Sequence, residues 1–195
     1  MKGTIATAAC VLGFSIALGA SPQSKPVDVR PALLVIDVQN AFLPDMDEQD
    51  RKQGLDNINA YIAQFRRHDM PVIRIYHTDP QGGPKPGTEP FEFSKTIQVN
   101  ETDPRVIKNY GNAFNKTNLD KLLKDKGVNT VFLCGLSATA CVLATYHGAE
   151  DLDYNVFMLK DALLSDNAEH TKTVQQFCKT ASFSALKLIL DLCRR

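Results

Sequence analysis

The sequence predicts an α/β protein built on a mostly parallel sheet, and three observations predict it. Residues 32–36 (ALLVI) and 131–134 (VFLC) are short, continuous apolar runs, the pattern of strands buried on both faces. Between such runs lie segments with helical spacing, such as Leu55, Ile58, Ile62 and Phe65 on one face. The two patterns alternate along the chain, with no internal repeat and no low-complexity segment.

The elements follow in order. The first strand, 32–36, ends at Asp37. A helix occupies about 51–68, and PVIRIY at 71–76 reads as the second strand. Residues 79–100 hold Pro80, Pro84, Pro86 and Pro90, with Phe91 and Phe93 among them. A loop of that length in a compact domain is usually functional. Val106 and Ile107 suggest a short third strand, followed at once by Lys108. Thr117 caps a helix to residue 126, with Leu119, Leu122 and Leu123 inward and Gly127 as its stop. The fourth strand covers 129–134; Gly135 breaks it, and a helix runs over 138–152 with Cys141 in its first turn. The fifth strand is 155–159 (NVFML). Ser165 or Asp166 caps a helix to 178, residues 181–183 are a last short strand, and Ser184 caps a final helix through 192.

A chain of 195 residues can bury one sizeable core. Lys+Arg and Asp+Glu are both 22, with no basic patch, which argues against nucleic acid or an anionic membrane as the main partner. The first twenty residues differ from the rest. Lys2 is their only charge, an apolar run covers 5–18, and Ala17, Gly19 and Ala20 are small, as in a secretory signal peptide. The expected organisation is a signal peptide at 1–20, a linker at 21–30 carrying Pro22 and Pro26, and one domain at 31–195. The mature chain, starting near Ala20 or Ser21, would be periplasmic or secreted, with no membrane association after cleavage. Cys134, Cys141, Cys178 and Cys193 then remain, and three full pairings are open to them. A Cys178–Cys193 bridge would leave Cys141 free.

In open α/β sheets the site lies beyond the carboxyl ends of the strands. Asp37, Lys108 and Cys141 all fall there, from three distant parts of the chain. A helix N-terminus stabilises a thiolate, so Cys141 is placed to be a nucleophile. Asp37 can take its proton if a dry pocket raises the carboxyl pKa. Lys108 can hold that carboxylate and lower the thiol pKa. The backbone N–H groups of Cys141 and of the turn at Ser137 can form an oxyanion hole. Each residue alone has a plainer reading: a core cysteine, a turn-capping aspartate, a solvated lysine. Phe42, Tyr110 and Phe114 follow two of these segments and read as pocket walls or as core.

LLVIDVQNAF, VIKNYGNAF, VFLCGLSATACV, VFMLKDALLS and the Glu169-His170 pair, in this order and spacing, resemble the isochorismatase-like cysteine hydrolases. That family includes nicotinamidases, N-carbamoyl amidohydrolases and ureidoacrylate hydrolases, and the resemblance spans about residues 31–192. It implies a three-layer α/β/α fold with six strands in the order 3-2-1-4-5-6. It implies a triad of Asp37, Lys108 and Cys141 and a cis peptide at Leu136–Ser137 that aims an oxyanion-hole N–H. Gln39, with Phe42, Tyr110 and Phe114, is expected around the substrate. The metal-dependent nicotinamidases carry an Asp-x-His pair and a further histidine before the lysine. Here only His68 and His77 fall in that interval and no Asp-x-His occurs, so no metal and no cofactor are expected. Ala41 also stands where relatives usually carry an acidic residue. His147 is six residues from Cys141, on the opposite face of a helix, and reads as structural, as does His170. The expected function is hydrolysis of a C–N bond in a small amide, imide or ureido compound. The alternatives are a vinyl-ether hydrolase and a non-catalytic binding member. The expected partner is a small-molecule substrate, and a homo-oligomer is left open.

Overall fold

The structure, a computed structural model, describes residues 28–193. The expected signal peptide and residues 21–27 of the expected linker lie outside the described residues. Six strands form one sheet: β1 (Pro31–Ile36), β2 (Val72–His77), β3 (Arg105–Lys108), β4 (Thr130–Gly135), β5 (Asn155–Leu163) and β6 (Thr180–Ala181). Their order is β3-β2-β1-β4-β5-β6 and every pairing is parallel. Among the described residues five α-helices accompany them: α1 (Glu48–Arg67), α2 (Leu119–Asp125), α3 (Leu143–Glu150), α4 (Ala168–Phe177) and α5 (Phe183–Cys193).

The unbroken apolar run of β1 has its reason in the layers. All six residues are buried. Leu33 and Val35 face the core beneath α1 and α5, with Ile58, Phe65, Leu186 and Leu190. Ala32, Leu34 and Ile36 face the other core, with Leu119, Leu123, Val142 and Val174 from the α2, α3 and α4 side. A strand covered on both sides has no solvent face to alternate toward.

Several boundaries differ from the sequence reading. α1 starts earlier than residue 51, because Asp47 caps it by accepting from the N–H groups of Gln49 and Asp50 across a wholly polar first turn. α4 is capped by Asn167, not by Ser165 or Asp166; Ser165 Oγ bonds Asn167 O and Thr171 Oγ1 instead. β5 runs on through the charged Lys160 and Asp161, because a register shift beside Leu133 and Gly135 re-pairs the strand at Leu163. Cys178 and Cys193 are free, so the bridge between them is not formed.

The expected helix at 138–152 is two pieces. Ala138–Val142 is a π-helical turn, in which Ser137 O accepts from the N–H groups of Ala140 and of Val142. α3 follows it. Wide turns of this kind are frequent at functional sites.

Candidate active site

Asp37 stands one residue beyond β1, in the left-handed region at φ 53 and 3% exposed. Aspartate tolerates that conformation better than most residues. Its N–H still bonds Ile75 O, so the residue is tied to the sheet. Lys108 ends β3 and is 1% exposed. Cys141 projects from the π-helical turn after β4. Gly135 permits this turn: its φ is 109, and a Cβ there would lie 2.1 Å from Ile36 O.

Lys108 Nζ donates to Asp37 Oδ2 at 2.7 Å and to Cys141 Sγ at 3.1 Å. Its third close acceptor is His77 Nδ1, at 3.2 Å. An ammonium carries three protons, and here three acceptors meet them. Cys141 Sγ, a carboxylate oxygen of Asp37 and a ring nitrogen of His77 lie within 4.8 Å of one another. Asp37 Oδ1 is buried with no hydrogen-bond partner among the described residues.

Burial pushes the Asp37 carboxyl pKa up, and the Lys108 charge and hydrogen bonds from Lys108 and Cys141 pull it back only in part. Burial also raises the Cys141 thiol, to about 11; the Asp37 charge adds to the rise and Lys108 opposes it. Lys108 lowers the thiol pKa, as expected, but burial and the Asp37 charge outweigh it. In a half-dry site beside a carboxylate the neutral thiol is favoured, and attack needs a base in place.

Asp37, His77 and Cys141 line a cavity of about 540 Å³; Lys108, which contacts all three, is not itself among the lining residues. Leu136 and Ser137 line it, together with Phe42, His77 and the exposed Asp45 and Asp166. No Lys or Arg is among the lining residues. Sequence reasoning missed His77, Asp45 and Asp166 as members. His77 was findable, since it closes β2 at the same carboxyl rim and pairs in register with Lys108.

Other expected site residues go elsewhere. Gln39 is fully buried and outside the cavity lining. Its Nε2 donates to His77 O and Phe91 O, and its Oε1 accepts from His77 N–H, so it clamps backbone. Tyr110 is 42% exposed and receives a hydrogen bond from Lys116. Phe114 stacks on Tyr154 in the α2–α3 core. His147 and His170 are outside the cavity lining. A cis peptide at Leu136–Ser137 is not found; the described residues contain none. Gly135 takes the reversal in its φ, and Ser137 is reached through ordinary trans bonds at φ −85, ψ 140. Leu136 N–H is engaged by Ile36 O at 2.9 Å, so it is not open to the oxyanion role expected of this turn.

The spacing of Asp37, His77 and Cys141 would suit a metal ion. The Lys108 ammonium, however, contacts all three. A second cation would have to displace it or lie against it, so the residues present do not fit a metal.

The sequence matches the family described as Isochorismatase domain over residues 31–183. It is 33% identical over 153 residues to nicotinamidase 3 of Arabidopsis thaliana, covering 71% of this chain and 75% of that protein. The crystal structure of an isochorismatase-like hydrolase from Alkaliphilus metalliredigens superposes with a TM-score of 0.75 at 23% identity, over 83% of this chain and 99% of that one. The zinc complex of a pyrazinamidase from Pyrococcus horikoshii superposes with a TM-score of 0.70 at 25% identity, over 79% and 99%.

Proposed function

The chain belongs to the isochorismatase family of hydrolases, and from that premise we propose that it is a metal-independent cysteine hydrolase cleaving a C–N bond of a small amide, imide or ureido compound. One observation carries the reading: a single buried ammonium bridges Asp37 Oδ2 and Cys141 Sγ, two residues that line a cavity large enough for a small substrate. Asp37, Lys108 and Cys141 are the proposed catalytic residues. The thiol of Cys141 attacks the carbonyl carbon while its proton passes to Asp37. The raised pKa of Asp37 suits a base that must hold a proton briefly. The N–H groups of Ser137 and Cys141 receive the oxyanion. Asp37 then gives the proton to the leaving nitrogen, the C–N bond breaks, and a thioester remains. Water, deprotonated by Asp37, attacks the thioester, and the thiol recovers its proton as the acid departs. Lys108 keeps its proton throughout and holds the carboxylate in place.

Cavity charge separates this reading from the vinyl-ether alternative. The exposed Asp45 and Asp166 line the space, and the nearby Lys108 ammonium is already paired with Asp37, a poor setting for a dianion such as isochorismate. The purely binding alternative leaves unexplained why a base and a lysine converge on a thiol.

The test is release of ammonia or amine from a panel of small amides, imides and ureides, with EDTA present. Whole-protein mass spectrometry would look for an acyl group on Cys141. Turnover of at least one class, with an adduct absent in Cys141→Ser, is expected. No turnover and no adduct across the panel, or activity lost to EDTA and restored by zinc, would overturn the proposal. We also propose export of the chain by its apolar leader; an intact Met1 on protein sequenced from its native host would refute that.

A further inference from the structure

We propose that His77 is a fourth working residue of this site, a neutral imidazole that holds Lys108 through Nδ1 and offers its Nε2–H to a carboxamide or ureido oxygen of the substrate. An ammonium only donates, so its 3.2 Å contact makes His77 Nδ1 the acceptor and puts the ring proton on Nε2. Nε2 has no partner among the described residues, and the residue lines the cavity. His77 is half-buried, with the Phe42 ring 6.1 Å away.

The backbone of His77 is held with unusual completeness. Gln39, itself fully buried, accepts from its N–H at 2.7 Å and donates to its C=O at 3.0 Å. β3 fixes the other side, with His77 and Lys108 directly paired. A histidine merely closing a strand needs neither a chosen tautomer nor a buried glutamine gripping both sides of its backbone. The groups facing the ring are Lys108 from β3, Asp37 from beyond β1, Cys141 from the π-helical turn and Asp79 from its own loop. Burial, then Lys108, lowers its pKa below the usual 6.5, while Asp37 and Asp79 oppose the shift. The neutral form therefore holds at pH 7.

The inference rests on the proposed hydrolase site but is tested without turnover. In long-range ¹H–¹⁵N spectra of the labelled full chain at pH 7, the His77 ring, assigned by its loss in His77→Asn, is expected as the neutral Nε2–H form. An Nδ1–H form or a charged ring overturns the proposal. The second arm compares labelling of Cys141 by iodoacetamide, which carries a carboxamide, with labelling by methyl methanethiolsulfonate, which does not. In His77→Asn the iodoacetamide rate relative to the other reagent is expected to fall about fivefold, the size of one hydrogen bond. An unchanged ratio removes the substrate-facing role. If no amide is ever hydrolysed, the hydrolase reading fails while both arms here stand.

Discussion

Cys134 and Cys141 lie seven residues apart on one continuous stretch, yet they occupy different chemical worlds. Cys134 sits inside β4, fully buried among the α1 and α5 side chains, and its thiol donates to Leu34 O at 3.6 Å. Burial alone drives its pKa far upward. Cys141, one turn beyond the strand end, is also pushed up by burial, but it has an ammonium at 3.1 Å and a carboxylate near it. Residue type is the same; the neighbours that can move a proton are not. The proposed nucleophile is thus distinguished by partners delivered from other strands, and the core thiol by their absence.

The comparison is sharpest at the sulfur itself. Cys141→Ser is expected to lower turnover of any identified amide by about 10³-fold or more, whereas Cys134→Ala should leave kcat/KM within about twofold. Steady-state kinetics on the two folded variants checks this, and equal losses would end the distinction.

Next comes Asp37→Asn, which preserves a residue tolerant of left-handed backbone. Turnover should fall roughly 10²–10⁴-fold as the base is lost. Labelling of Cys141 should move the other way. In the wild type the thiolate fraction, and with it the alkylation rate, rises with pH toward a thiol pKa of about 11. Removing the Asp37 charge and its hydrogen bond leaves Lys108 opposing burial alone, so the pKa drops and iodoacetamide labelling at pH 8 speeds up. Slower labelling in Asp37→Asn would contradict the electrostatics described for the site.

Lys108→Met tests what holds the pair together. It strands a buried carboxylate, and the urea-unfolding free energy should fall by about 3 kcal/mol. An unchanged midpoint would mean that Asp37 does not depend on its ammonium. The smallest effect is that of Cys134→Ala on stability. A small void in a packed strand should lower the unfolding free energy by about 1 kcal/mol, measured by thermal melting, with no change in Cys141 labelling.

The sequence by itself determined the architecture. Doubly buried strands must read as unbroken apolar runs, helices packed on a sheet must read with their own period, and β1, α1, β4 and α5 were legible for that reason. It also put Asp37, Lys108 and Cys141 at one rim, because strand ends in a parallel sheet face one way. What it left undecided were contacts that depend on several elements at once. Asn167 rather than Ser165 caps α4 because side-chain hydrogen bonds choose among adjacent polar residues. Gln39 left the pocket for the backbone of His77, and Tyr110 and Phe114 went to the surface and the far core, since position next to a catalytic segment says nothing about which way a side chain turns. Only the tertiary structure brought His77 to Lys108 and set the thiol pKa upward. Both follow from the sum of burial and charge at one point in space, a quantity that no single stretch of chain contains.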